Sequence, residues 1–187
     1  SVVLTLQNGY GNAEQLAEIV GPDRVIAGVT SHGATMLGPG RIKHAGSGET
    51  HIGELKCGIN ERIRRIAALM TDAGIATTVE HDVSSLIWGK LLVNVGINAI
   101  TAITGLKNGQ LNDYEETREL MRLAVEEAEQ VARAGGVTLP YTDSFAKVAV
   151  VAQATAENRS SMLQDMSNHR LTEIDVINGA VVKEGKR

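Results

Sequence analysis

The sequence predicts an α/β N-terminal part, built on an incomplete parallel sheet, followed by an all-α domain. Apolar β-type runs over residues 2–6 and 25–30 enclose a helical stretch over residues 13–20. This order of strand, helix and strand is typical of a βαβ unit, whose two strands pair in parallel. From about residue 84 onward, the apolar residues recur at helical spacing throughout.

Further elements complete the first part of the chain. Asn12 is a plausible N-cap of the first helix. Residues 41–45 and 50–55 flank a short turn rich in glycine and serine, and we predict that they form a β-hairpin. An amphipathic helix over residues 59–73 and a strand over residues 75–80 follow.

The all-α part is assigned to residues 81–187, and residues 1–80 form the first domain. Five helices are predicted in the all-α part, over residues 84–103, 113–134, 141–156, 160–166 and 171–182. The second of these is amphipathic, and its predicted apolar face comprises Leu120, Leu123, Ala124, Val131 and Ala134.

The composition excludes several classes of function. Lys and Arg total 18 against 22 Asp and Glu, and the net charge of −4 argues against a nucleic-acid-binding surface. Aromatic residues make up 3%, too few for a base-stacking platform. Cys57 is the single cysteine, so it cannot form an internal disulfide, and we expect it to be a small buried residue in a reducing compartment. The scattered histidines predict no metal site.

The longest apolar stretch, residues 86–103, is predicted to be a core helix and not a membrane span. It carries Lys90, Asn94 and Asn98 at its centre, and each of these side chains would be costly in lipid. The first residues lack the basic region of a signal peptide. We therefore expect a cytoplasmic protein without a membrane partner.

The same three polar residues are the most informative feature of the sequence. Lys90, Asn94 and Asn98 are spaced four residues apart, so an α-helix places them on one face in apolar surroundings. Lys90 could reach solvent while the asparagines bond to another helix. Alternatively, the three side chains line a cleft that binds an oxygen-rich small molecule. A lysine there can donate a proton to a developing alkoxide.

Two other segments carry polar residues whose roles stay open. Asn158, Ser160 and Ser161 precede a short predicted helix, and either serine could be its cap. Glu173 could equally be an acidic residue in the first turn of the last helix. The turn over residues 7–12 has two of the three glycines of a dinucleotide fingerprint, so an ordinary βα turn is also open.

Together these segments resemble the ketopantoate reductase (2-dehydropantoate 2-reductase) family. The resemblance runs through LTLQNGYGN, GVTSHGATMLGPGRIKHAGSGETHIGE, WGKLLVNVGINAITAITG and ENRSSMLQDMSNHRLTEIDVINGAVV. It implies a Rossmann domain followed by a helical domain, with the active site in the cleft between them. It also implies reduction of 2-dehydropantoate to (R)-pantoate with NADPH, a step toward pantothenate and coenzyme A.

The resemblance further implies roles for individual residues. Lys90 would donate the proton to the carbonyl oxygen of the substrate, and Glu173 would support catalysis. Four residues would bind the substrate: Asn94, Asn98, Asn158 and Ser161. Asn8 would lie near the nicotinamide ribose of the cofactor.

The family's glycine-rich fingerprint, and with it the main phosphate-binding loop, is not in this sequence. Residues 1–80 therefore resemble the C-terminal portion of a truncated Rossmann domain, and we expect the chain to be a fragment of the enzyme that is inactive alone. An unpaired sheet edge would favour a homo-oligomer. Two alternatives remain: a paralogue that reduces another 2-keto acid, and a non-catalytic helical dimerisation module or truncated remnant.

Overall fold

A computed structural model describes residues 1–56 and 58–187, so the expectation for Cys57 lies outside the described residues. The chain divides into two compact units. The first comprises Ser1–Gln7 and Asn12–Leu86, and the second comprises Asn8–Gly11 and Ile87–Arg187. The short loop Asn8–Gly11 thus belongs to the helical unit although its neighbours in sequence belong to the other.

The first unit is an α/β structure. Its strands are β1 (Val3–Thr5), β2 (Val25–Thr30), β3 (Gly33–Gly38), β4 (Arg41–Gly46), β5 (Thr50–Glu54) and β6 (Thr77–Val79). Its helices are α1 (Asn12–Val20) and α2 (Glu61–Asp72), with a 3₁₀ turn at Pro22–Arg24. Asn60 caps α2, because its side chain accepts a hydrogen bond from the backbone N–H of Ile63.

The main sheet has the strand order β1-β2-β5-β6. β1 and β2 pair in parallel around α1, which confirms the predicted βαβ unit. β5 pairs antiparallel with β2 and parallel with β6. Ile26, Ile52 and Ile63 are fully buried and form the core between this sheet and α2.

The predicted hairpin of residues 41–45 with residues 50–55 is wrong. β4 pairs instead with β3 in a separate two-stranded ribbon, and β5 joins the main sheet. Pro39 and Gly40, with a φ of 69° at the glycine, make the tight turn between β3 and β4. Proline followed by a left-handed glycine suits the centre of a type II turn. β3 contains few β-branched residues, which is why its sequence did not indicate a strand.

The second unit is helical. Its helices are α3 (Ser84–Thr104), which begins just before the unit boundary, α4 (Glu115–Ala134), α5 (Ser144–Ala154), α6 (Ser161–Ser167) and α7 (Asn178–Gly185). Short 3₁₀ turns lie at Gly109–Asn112 and Ile174–Val176. Within this unit, α3, α4 and α5 contribute Leu92, Met121 and Val148 to one buried apolar cluster.

α3 is the central apolar helix that the sequence predicted. By length and composition alone it could span a membrane, because an 18-residue stretch of it has a mean hydropathy of 1.6. However, 56% of that stretch is buried inside the protein. Buried apolar side chains along the helix include Trp88, Leu91 and Val95. This burial is what the core helix of a folded domain shows.

The predicted apolar face of α4 is wrong for three of its five residues. Ala124 and Val131 are partly buried and pack against the buried apolar cluster, whereas Leu120, Leu123 and Ala134 are exposed. The buried residues of this helix are Thr117, Met121, Val125, Ala128 and Ala132. Leu120 and Leu123 are each 49% exposed. Three of these five buried residues are the small Thr117, Ala128 and Ala132, and a pattern that weights large apolar side chains overlooks such a face.

The predicted last helix over residues 171–182 is divided in two. Residues Ile174–Val176 form a 3₁₀ turn, and α7 begins at Asn178. Ile177 separates them with φ −103° and ψ −89°, outside the helical region, and its side chain is fully buried. Glu173 therefore precedes a 3₁₀ turn and is not in the first turn of an α-helix.

Candidate active site

A polar stripe runs along α3. α3 is continuous from residue 84 to residue 104, so Lys90, Asn94 and Asn98 lie on one face of it. Asn98 is buried, and the side chains of Lys90 and Asn94 are partly buried. Thr101, which sequence reasoning missed, extends the stripe by one turn and is fully buried. Its position three residues after Asn98 was the available signal.

Lys90 is the residue of this stripe whose pKa is shifted by its surroundings. Burial lowers the pKa of the Lys90 ammonium below its usual range, and the nearby negative charge of Glu173 partly opposes that shift. Desolvation is the larger of the two effects. Lys90 is therefore a better proton donor than an exposed lysine, with a carboxylate near enough to act on it.

Glu173 is held by the loop that follows β1. The side-chain amide of Asn8 donates a hydrogen bond to Glu173 Oε2 at 3.1 Å, across 165 positions of sequence. The backbone N–H of Tyr10 donates to the carbonyl oxygen of Val176 at 2.8 Å. These two bonds attach the loop Asn8–Gly11 to the segment that starts at Glu173.

The same loop also packs against α3. The ring of Tyr10 lies 5.0 Å from that of Trp88, centroid to centroid, and Trp88 is two residues before Lys90. Gly9 lies between these contacts with φ +90°, and a Cβ at this position would come within 2.4 Å of the Val176 carbonyl oxygen. The loop can approach the Glu173 segment this closely only with glycine there.

Replacing Gly9 with alanine is expected to destabilise the helical unit and to separate Asn8 from Glu173. The positive φ costs about 1–2 kcal/mol for any L-residue, and overpacking against Val176 adds about 1–3 kcal/mol. Gly136→Ala is the matched control, because Gly136 also has a positive φ, of +78°, but nothing lies within 4 Å of its Cβ position. Urea unfolding measures the loss of unfolding free energy in Gly9→Ala and in Gly136→Ala. Equal losses in the two variants would contradict the close packing of Gly9.

Asn98 and Ser161 form a second polar pair. The side-chain amide of Asn98 donates to Ser161 Oγ at 3.4 Å. Ser161 is the first residue of α6 and is exposed. Ser160 is the N-cap of this helix, as its Oγ accepts a hydrogen bond from the Leu163 backbone N–H at 3.0 Å. One of the two serines thus serves as the predicted cap, and the other is accessible to a ligand.

Asn158 is placed apart from this pair. It is exposed, and its backbone carbonyl oxygen accepts a hydrogen bond from the Asn108 N–H at 3.0 Å. Within residues 1–56 and 58–187, no hydrogen bond joins the Asn158 side chain to Ser161 or to Asn98. The structure therefore brings Asn98 and Ser161 together but leaves Asn158 at a neighbouring turn.

Polar side chains make up this candidate site. The described part of the chain, residues 1–56 and 58–187, has no group of three or more His, Cys, Asp or Glu side chains that could hold a metal ion. The site offers an ammonium beside a carboxylate and, two helical turns away, an amide beside a hydroxyl. Such donors can bind a small molecule rich in oxygen and deliver one proton to it.

Sequence comparison defines the class of protein. The family described as ketopantoate reductase PanE/ApbA C terminal matches residues 82–187, and that described as ketopantoate reductase PanE/ApbA matches residues 1–56. The two matches fall in both units of the fold and leave residues 57–81 unmatched. The chain belongs to the ketopantoate reductase family.

Two curated relatives match the chain over nearly its whole length. The 2-dehydropantoate 2-reductase of Halobacterium salinarum is 42% identical over 186 residues, which are 100% of this chain and 61% of that protein. The 2-dehydropantoate 2-reductase of Archaeoglobus fulgidus is 40% identical over 185 residues, 99% of this chain and 61% of that protein. The chain thus spans about three fifths of the length of the curated relatives it matches.

Solved structures share the fold. The ketopantoate reductase of Ralstonia eutropha JMP134 superposes with a TM-score of 0.90 at 34% identity, covering 100% of this chain and 60% of that one. D-mandelate dehydrogenase with NADH has a TM-score of 0.89 at 27% identity, with 100% and 63% covered. A dimeric ketopantoate reductase from Staphylococcus aureus has a TM-score of 0.84 at 25% identity, with 99% and 61% covered.

Proposed function

We propose that this chain is part of an NADPH-dependent reductase that converts 2-dehydropantoate to (R)-pantoate. In this proposal residues 1–80 are the C-terminal portion of a Rossmann-like domain, and residues 81–187 are the helical substrate domain. The observation that carries it is Lys90, a partly buried ammonium whose pKa burial lowers, on the polar face of α3 within the field of Glu173. A reductase of 2-keto acids needs one such proton donor.

Lys90 is the proposed acid. Hydride addition to the C2 carbonyl carbon puts negative charge on the carbonyl oxygen, and a positioned ammonium stabilises that charge and protonates the oxygen. Lys90 Nζ gives up its proton and becomes neutral, a change that its burial favours. Glu173 keeps Lys90 charged before the reaction, and the Asn8 amide holds the carboxylate of Glu173 in place.

The remaining site residues are proposed to bind the substrate. Ser161 and Asn158 would hold its carboxylate, and Asn94 and Asn98 would orient it. The pairing of Asn98 with Ser161 at 3.4 Å supports this assignment for these two residues. Asn158 is included because it lies three residues before Ser161 in the sequence motif that resembles the family.

The proposed cofactor is a nicotinamide dinucleotide, NADPH, which supplies the hydride. Asn8 fits a place near the nicotinamide ribose, because it follows β1 at the turn into α1, and ligands of α/β sheets bind at the carboxyl ends of parallel strands. The phosphate-binding fingerprint G-x-G-x-x-G is not among these 187 residues. Asn8 would therefore contact the nicotinamide end of the cofactor and not its phosphates.

The proposed setting is the cytoplasm, with a small 2-keto acid as the substrate and a second copy of the chain as the partner. The dimeric relative from Staphylococcus aureus supports a homo-oligomer. The half-exposed Leu120 and Leu123 on α4 are apolar surface that a subunit contact would cover. The net charge of −4 supports the absence of nucleic-acid and anionic-membrane partners.

A second candidate is a paralogue that reduces another 2-keto acid. The similarity to D-mandelate dehydrogenase, with a TM-score of 0.89, supports this second candidate. The same fold could serve a substrate with a larger apolar group. The third candidate, a non-catalytic helical module or a truncated remnant, uses none of the buried polar groups for chemistry.

NADPH oxidation by the full-length product of the reading frame tests all three candidates. We expect turnover with 2-dehydropantoate and a lower kcat/KM with benzoylformate, the 2-keto acid that corresponds to mandelate. Replacing NADPH with NADH in the same assay tests the cofactor, and we expect the higher kcat/KM with NADPH. A preference for benzoylformate would favour the paralogue, and no oxidation with either acid would favour the non-catalytic module.

A further inference from the structure

We infer that Thr101 and Ser160 are positioning residues that fix Ser161 against Asn98. The inference rests on the proposed function, in which Asn98 and Ser161 bind the substrate. Neither Thr101 nor Ser160 is accessible to a ligand, since Thr101 is fully buried and Ser160 is 6% exposed. Any effect of these two hydroxyls on the substrate must therefore pass through their neighbours.

The two hydroxyls form a continuous chain of hydrogen bonds between α3 and α6. Thr101 Oγ1 lies 2.7 Å from Ser160 Oγ, and it is also within hydrogen-bond distance of the carbonyl oxygens of Ile97 and Asn98, at 3.0 Å and 2.9 Å. Ser160 Oγ in turn accepts from the Leu163 N–H at 3.0 Å. One hydroxyl has a single proton, so Thr101 can donate to an α3 carbonyl while Ser160 donates to Thr101.

This arrangement gives each of three buried donors an acceptor. The Leu163 N–H, the Ser160 O–H and the Thr101 O–H each have an acceptor, which a network in a low-dielectric interior requires. Removing the Thr101 hydroxyl leaves the Ser160 O–H buried without its acceptor, although Ser160 Oγ still accepts from the Leu163 N–H. Such a loss is costly, so the network should hold α3 and the start of α6 in one register.

The network lies directly beside the proposed substrate-binding pair. Thr101 is one turn from Asn98 on the same face of α3, and Ser160 is the residue before Ser161. The contact between Asn98 and Ser161 is itself long, at 3.4 Å, and is too weak to fix α6 alone. The shorter Thr101–Ser160 contact therefore sets where Ser161 presents its hydroxyl.

The chain offers a matched control on the same helix. Thr104 is also a threonine of α3, but it is exposed, and its hydroxyl donates to the carbonyl oxygen of Ile100 at 2.7 Å and accepts from the Leu106 N–H at 3.4 Å. Thr104→Val therefore removes a hydroxyl from α3 without touching α6. Thr101→Ser keeps the hydroxyl of Thr101 and loses only its methyl group.

Steady-state kinetics of the full-length enzyme test the inference. Thr101→Val is expected to raise KM for the 2-keto acid about tenfold, the effect of one lost buried hydrogen bond, while kcat and KM for NADPH change by less than about twofold. Thr101→Ser is expected to restore KM, and Thr104→Val to leave it unchanged. Hydrogen exchange at the Leu163 amide is expected to be faster in Thr101→Val and unaltered in Thr104→Val.

Each outcome decides the inference. If the wild-type enzyme turns over while Thr101→Val and Thr104→Val share its KM and its Leu163 exchange, Thr101 has no positioning role. Should Thr101→Val not fold, Ser160→Ala replaces it and must raise KM in the same way. A wild-type enzyme that reduces no 2-keto acid overturns the proposed function and, with it, the substrate role of the Asn98 and Ser161 pair that Thr101 positions.

Discussion

Lys90→Ala is expected to lower kcat by about 10²–10⁴-fold, the range that a positioned general acid contributes. The proposed reaction develops negative charge on the carbonyl oxygen, and Lys90 is the ammonium that the polar face of α3 offers to it. Alanine removes both the proton and the positive charge. The measurement is steady-state NADPH oxidation with 2-dehydropantoate, in which KM for NADPH should stay close to the wild-type value.

Lys107→Ala is the control for this prediction. Lys107 is a 47% exposed lysine paired with Glu157 at 2.6 Å, so its removal changes the net charge by the same amount without entering the site. It should leave kcat unaltered. Wild-type turnover by Lys90→Ala would end the assignment of Lys90 as the acid.

Glu173→Gln is expected to move the alkaline limit of kcat to lower pH. Lys90 must be protonated to donate, so activity is present below its pKa and is lost as pH rises through that value. Glu173 raises the pKa of Lys90 against the larger, lowering effect of burial. Without the Glu173 charge only the lowering effect remains, so the active form disappears at a lower pH.

The same substitution should also lower kcat on the order of tenfold at neutral pH, which corresponds to about 1.4 kcal/mol. Glutamine retains a side-chain oxygen that can accept from Asn8, so the bond between them need not be lost. The control is Glu157→Gln, because Glu157 is 86% exposed and pairs with Lys107. A pH profile of Glu173→Gln that matches the wild type, or that shifts to higher pH, would refute the coupling.

The polar stripe of α3 could be predicted from sequence because it depends on local periodicity alone. Lys90, Asn94 and Asn98 interrupt an apolar run at helical spacing, and the helix has to present them together. The βαβ unit could be predicted for the same reason, since its strands and helix are also indicated by local patterns. Thr101 continues the stripe and was overlooked because a threonine in an apolar run is not conspicuous.

Long-range pairing could not be predicted in this way. β4 could pair with β3 through a turn at Pro39 and Gly40, or with β5 through the glycine-rich turn before β5. Both turns are plausible from sequence, and the structure has the first. The bond between Asn8 and Glu173 joins residues 165 positions apart, and no local pattern encodes such a contact. In α4, the buried face includes Ala128 and Ala132, whereas the larger Leu120 and Leu123 are half exposed.

The placement of Asn8–Gly11 within the helical unit makes the two units of this protein interleaved in sequence. A helical fragment cut at residue 87 would lack four of its own residues, including the tyrosine that covers Trp88 and the asparagine that binds Glu173. A recombinant form of this unit therefore needs Asn8–Gly11 as well, either fused to it or added as a separate peptide.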